Sequence, residues 1–220
     1  MGRARAILAP FLAADPNDTR AGNDLLTAAE NEAECFEDRA EGILREGKTD
    51  QRADAADALR ALSEARTLAE NLLRTQPGST YWKSTLGLLF IRMSLQQRTL
   101  SRFDEAMELA AKGVAILKAV GKQENAQGFD LDAVATGLTI VEPEQLRDPR
   151  LAVECAERMV VDSNRQKPGF FLTLARAYRA AGQPEKAHAA AKEGLGLLPT
   201  PTARKAPFRV RKGLENELTR

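Results

Sequence analysis

Apolar positions recur at helical spacing along nearly all of this 220-residue chain. From Tyr81 onward, Trp82, Leu86, Leu89, Met93 and Leu100 step by threes, fours and sevens, which puts them on one face of a helix. Leu88, Phe90, Ile91 and Leu95 cover much of the remaining circumference. A helix apolar nearly all round needs neighbours on every side, so this one is expected at the centre of the fold. No segment alternates convincingly with period two. The predicted fold class is all-α.

Turn and cap residues divide the remainder into helices. Gly47 should end a long helix, and Asp50 after Thr49 can cap the next. Pro77 and Gly78 break the chain before Ser79, a cap for the Trp82 helix. Ser101 with Asp104 looks like a capping-box start for a helix over 103–120, which should stop at Gly121. Asp148 before Pro149, and Gln183 before Pro184, place proline in a first helical turn. Pro199 and Pro201 should end the penultimate helix. The expected helices lie near 3–14, 18–47, 51–75, 79–100, 102–120, 125–141, 149–164, 168–181, 184–198 and 205–219.

The most regular unit spans 168–201. Phe171, Leu174, Ala175 and Tyr178 mark its first helix, Gly182 the turn, Ala187 and Ala191 the second helix, and Pro199 the close. Ala175 and Ala187 are small where two antiparallel helices would cross, while Phe171, Leu174 and Tyr178 would fill the gap to the next helix. Looser copies begin at Trp82, Leu86 and Gly87, followed by Phe103, Asp104, Glu105 and Ala106, and again at Leu151, Ala152, Ala156 and Met159. Gly87 and Ala106 are 19 residues apart, against 12 for Ala175 and Ala187, an excess of seven. Seven residues is about two helical turns, so such a hairpin is longer with its faces still in register.

The 168–201 unit resembles a tetratricopeptide repeat, whose period is about 34 residues. More narrowly, Leu146, Arg147, Asp148 and Pro149, the stretch 152–158, Thr173 through Tyr178, and Leu197, Leu198 and Pro199 with a closing helix look like the C-terminal repeat region of bacterial multidomain serine/threonine protein kinases. The leading stretch 11–18 is similar to the inter-repeat junctions of that group. The specific likeness covers about the last third of the chain. Gly113 and Gly194 depart from it, standing where the repeat usually has alanine, as does the irregular 18–75 pair. The resemblance implies stacked antiparallel hairpins wound as a right-handed superhelix. Its expected parts are a remnant or capping helix at 1–16, a long irregular hairpin at 17–77, an extended repeat at 78–122, a degenerate repeat at 123–166, a regular repeat at 167–201 and a capping helix at 202–220. The chain would open within the second helix of a preceding repeat, as a fragment or a descendant of a longer protein.

Composition limits the chemistry. Lys and Arg number 32 against 31 Asp and Glu, so no net charge draws the chain to nucleic acid or an anionic membrane. The locally basic stretch 203–212, with Arg204, Lys205, Arg209, Arg211 and Lys212, reads as a solvated helix face. The acidic stretch Glu30, Glu32, Glu34, Glu37, Asp38 and Glu41 reads the same way. Cys35 and Cys155 lie far apart on apolar helical faces and are expected as buried free thiols, in keeping with a cytoplasmic chain. With His188 as the single histidine, no structural zinc site is expected. No apolar run nears the roughly 20 residues of a membrane helix. Pro10 interrupts the apolar start, which argues against a signal peptide, and Ala6 stands where N-myristoylation needs Ser or Thr.

No catalytic motif stands out. Kinase chemistry needs a glycine-rich loop, a strand lysine, and HRD and DFG segments, none of which is present, and no Walker lysine motif occurs. Gly194 and Gly196 lack the third glycine of a nucleotide fingerprint. The expected protein is non-enzymatic and cofactor-free, a scaffold that holds a protein or peptide partner in a concave groove and is associated with a signalling kinase. Periodicity puts Tyr81, Ser84, Leu88, Arg92 and Gln96 on that groove from the central helix, and Leu172, Arg176 and Arg179 from the last repeat. Trp82 reads as core. Two further readings are self-association through an open end repeat, and an enzyme of unrecognised type.

Overall fold

The computed structural model describes residues 2–15, 18–40, 50–199 and 208–219. Among them run ten α-helices and no strand: α1 (Gly2–Ala14), α2 (Thr19–Ala40), α3 (Gln51–Thr75), α4 (Thr80–Thr99), α5 (Phe103–Gly121), α6 (Phe129–Ile140), α7 (Pro149–Asp162), α8 (Pro168–Ala180), α9 (Pro184–Gly196) and α10 (Phe208–Thr219). The all-α reading holds, and the described helix ends lie within a few residues of those expected. The predicted stop at Gly47 and the Pro201 terminator lie outside the described residues.

Local chemistry accounts for most of these ends. The Asp50 carboxylate accepts from the N–H groups of Arg52 and Ala53, the Ser79 hydroxyl oxygen from Trp82, and the Asp148 carboxylate from Leu151. Each satisfies backbone donors that a first turn leaves free. Gly182, at φ +70°, makes the tight turn between α8 and α9. The capping box at Ser101 is not formed. Ser101 sits in the left-handed region at φ 66°, and α5 starts after Arg102 without a side-chain cap. The sharp turn between two long helices takes the residue that a cap would have needed.

Helix α4 divides the core. Its residues Trp82, Leu86, Leu89 and Met93 join Leu26, Ala29 and Ala33 of α2 and Ala61, Leu62, Ala65, Ala69 and Leu72 of α3 in one cluster. Ile91 of α4 faces the other way, into a larger cluster that runs through Leu117, Leu138, Met159, Phe171 and Leu174 to Leu214. The expected central position of α4 is thus observed, and Trp82 is core at 6% exposure.

The packing order alternates. Each helix packs on the next, and α4, α6, α8 and α10 also pack on one another in sequence. Among the odd-numbered helices only α5 and α7 meet in this way, and weakly. The even-numbered helices from α4 to α10 therefore form the tighter layer. Of the residues expected to mark a repeat, Ala106, Ala152, Ala175 and Ala187 are almost fully buried, Leu86 and Leu174 pack in the core, and Gly87 is buried while Pro199 is exposed. Helix α4 has 20 residues and α5 19, against 13 each for α8 and α9, so the longer spacing between Gly87 and Ala106 is spent on longer helices. The departure at Gly113 has a steric reason. A Cβ there would stand 2.8 Å from the Gly87 carbonyl oxygen and 2.7 Å from Ile91 Cδ1, so only glycine permits the α4–α5 approach.

Candidate partner-binding face

A polar circuit runs along the even-numbered helices. Arg92 of α4 grips Glu37 of α2 in a fork, with Nε 3.2 Å from both carboxylate oxygens and Nη2 2.6 Å from Oε2, while Gln96 Nε2 donates weakly to the same carboxylate at 3.4 Å. Thr80 of α4 donates to Asp130 of α6, and Thr173 of α8 donates to Asp132 of α6, each at 2.7 Å. Arg179 of α8 holds Glu217 of α10 through Nε at 2.6 Å, and its Nη2 donates to the Glu217 carbonyl at 2.6 Å. The circuit closes when Arg209 of α10 pairs with Glu34 and Asp38 of α2. Helix α2 packs closely on α1 and α3 but not on α4 or α10, so the two long arginines span a gap that backbones leave.

The reason lies in the spacing of the α2 acids. Glu30, Glu34, Glu37 and Asp38 are four, three and one apart, which sets them on one side of a helix. This stripe is not a solvated face, contrary to the sequence reading. The side chains of Glu37 and Asp38 are only 18% and 13% exposed, held under the two guanidinium groups. The basic stretch is likewise engaged where it is described. Arg209 makes the pairs above, Arg211 donates to the Pro199 carbonyl and lies near Glu215, and Lys212 also has a partner.

The predicted groove residues divide into four groups. Tyr81 is 40% exposed, stacked edge-on against Trp82 with ring centroids 4.6 Å apart. Burial pushes its hydroxyl pKa up, and the nearby charges of Glu30 and Asp130 push it further. Arg176 is exposed, and its charge acts on the Asp132 carboxyl. These two are open to a ligand. Leu88 and Leu172 are half-buried, and Leu172 fills the space over Gly213 of α10, where a Cβ would come within 2.7 Å of its Cδ2. Arg92, Gln96 and Arg179 are committed to the circuit. Ser84 is a correction: it is 1% exposed, its hydroxyl donates 2.9 Å to the Tyr81 carbonyl, and it faces inward rather than along a groove.

Two half-buried acids on this face stand out. Burial raises the Asp132 pKa, outweighing the Thr173 hydrogen bond and the Arg176 charge that lower it. Glu30 is raised for the same reason, with Arg92 acting against burial and Glu34 adding to it. Sequence reasoning missed Asp130, Asp132, Glu217 and Arg158. Arg158 donates to the carbonyls of Gln123, Glu124 and Ala126 and so clamps the turn that leads into α6. Nothing in the local pattern of α7 marks it for that role. Cys35 is another correction, being exposed, whereas Cys155 is buried with its thiol pKa raised to about 11 by burial first. Tyr178 donates to Glu157 at 2.6 Å, and burial together with that hydrogen bond lifts its pKa to about 12.

Among the described residues no helix is long and apolar enough to cross a membrane, and no group of three or more His, Cys, Asp or Glu could hold a metal ion. Comparison with protein-family models finds no match, and comparison with curated proteins finds none of significance.

Proposed function

We propose that the chain is a non-catalytic protein-interaction scaffold, a right-handed tetratricopeptide-like solenoid whose inner face takes a peptide or a partner protein. One observation carries this reading: α4, α6, α8 and α10 pack on one another in sequence while the odd-numbered helices mostly do not. A stack of hairpins closer on one side than the other curves toward that side, and the even-numbered layer is then concave. Tyr81 and Arg176 stand open on that layer, an aromatic and a guanidinium of the kinds that dominate interface energetics. The likeness of the last third of the chain to kinase repeat regions supports the finer reading, a regulatory segment of a signalling kinase or a descendant of one.

The test is a pull-down with the wild-type chain and the Tyr81→Ala, Arg176→Glu double variant. Arg92 is unsuitable for charge reversal because it holds Glu37 within the fold. Captured partners should fall by about tenfold or more for a variant with unchanged circular dichroism, the size expected of one or two interface anchors. A folded variant that keeps every partner would falsify this site.

A second reading has its own observation. Ile7 and Phe11 lie four apart on α1 and are 63% and 58% exposed, an apolar pair on one side of that helix. Such a face suits a second copy of the chain. Light scattering that shows a monomer at high concentration removes this alternative.

A further inference from the structure

We infer that Arg209 is an ionic latch, which ties α10 to α2 across the ends of the inner face and can open while both helices it joins stay folded. The inference deepens the binding reading above, since what the latch would regulate is access to that face. Three observations carry it. First, the α10–α2 tie joins segments 171 residues apart, between helices that do not pack closely on one another. The Thr80–Asp130, Thr173–Asp132 and Arg179–Glu217 ties, by contrast, lie across helices already in close contact.

Second, Arg209 with Glu34 is the wettest ion pair of the circuit. The Arg209 side chain is 45% exposed and its partners Glu34 and Asp38 are 48% and 13%, against 16% and 18% for Arg92 and Glu37 and 24% and 3% for Arg179 and Glu217. Exposed pairs are weak and screened by salt, while half-buried forks are less so. Third, each helix is anchored without it. Leu214 of α10 is fully buried in the large cluster, beside Gly194 of α9, and Glu217 is fixed by Arg179. Helix α2 is anchored through Leu26, Ala29 and Ala33 against α3. Breaking the latch therefore frees a hinge-like motion between two packed blocks and costs neither its core.

The experiment measures an α2–α10 distance in the full chain. Cys35 is exposed on α2, and Asn216 is exposed on α10, so Asn216→Cys in a Cys155→Ala background gives two sites for spin labels. At low salt the distance should be short and narrowly distributed. Raising salt to about 1 M, where the screening length falls to about 3 Å, should lengthen and broaden it. Arg209→Glu should do so even at low salt, and Glu34→Arg with Asp38→Arg should bring the Arg209→Glu chain back to the short distance. A distance unmoved by salt and by Arg209→Glu, or a double reversal that fails to restore it, overturns the latch. Circular dichroism confirms that each variant is folded. No partner enters this measurement, so a failed latch leaves the binding reading standing, and a failed pull-down leaves the latch.

Discussion

Helices α2 and α8 hold equivalent places in the alternating order, yet they are secured by different forces. Helix α8 meets α6 and α10 at close range, with Phe171 buried among α9 and α10 and Leu172 lodged over Gly213. Helix α2 is bound closely only to α1 and α3, along a seam rich in alanine; it shares an apolar cluster with α4 and is tied to α4 and α10 by arginines. Apolar contact is short-ranged and insensitive to salt, so α8 is fixed in place. Ionic bridges act across a gap and weaken with salt, so α2 is fixed to α3 by packing while its ties to α4 and α10 respond to salt. One arrangement can thus contain a rigid end and an adjustable one.

The largest effect should come from the rigid end. Phe171 is fully buried, and Phe171→Ala should destabilise the chain by about 3–5 kcal/mol in urea unfolding. A loss under 1 kcal/mol would mean that the α8 seam is looser than its contacts indicate. At the adjustable end, Arg92→Ala leaves the Glu37 carboxylate mostly buried without its fork, for a cost of about 1–3 kcal/mol. Here the two ends should differ in kind: the Arg92→Ala penalty should shrink in high salt and the Phe171→Ala penalty should not. Equal salt response would erase the contrast.

A smaller effect concerns pH. Asp132 has its pKa raised in the folded chain, so the native state binds that proton more tightly than the unfolded state does. Stability from this group is then present at low pH and declines as pH rises from the ordinary carboxylate pKa through the raised one. Asp132→Asn should accordingly be more stable than wild type at neutral pH and level with it near about pH 3, where both states of the wild-type acid are protonated. Thermal melts across that window check the sign, and a variant less stable at neutral pH would show that the Arg176 charge, not burial, governs the site. The smallest effect leaves stability untouched. Cys35 should react with iodoacetamide much faster than Cys155, whose raised pKa and burial suppress the thiolate. Mass spectrometry of partly labelled chain distinguishes the two.

Much of this protein could be read without coordinates, for a definite reason. A helix is built from hydrogen bonds between residues four apart, and it ends where a neighbouring side chain or glycine satisfies or releases them. Asp50, Ser79, Asp148 and Gly182 act within their own turns, so their effect was visible in their own neighbourhood. The same locality put Trp82, Leu86 and Met93 on one face and marked α4 as central. It failed at Ser101, whose place in the sequence suits a cap but whose backbone is set by the α4–α5 turn.

What tertiary structure alone decided is which distant charges meet. The stretch from Glu30 to Asp38 reads as solvated because Arg92 and Arg209, which grip Glu37, Glu34 and Asp38, lie far off in the chain and are brought in by the stacking of other helices. Arg158 and Asp132 likewise acquire their roles from loops and helices tens of residues away. Side-chain pairing depends on distance in space, and the distance between two helices is set by the glycines, alanines and aromatics at their crossing rather than by the charges themselves.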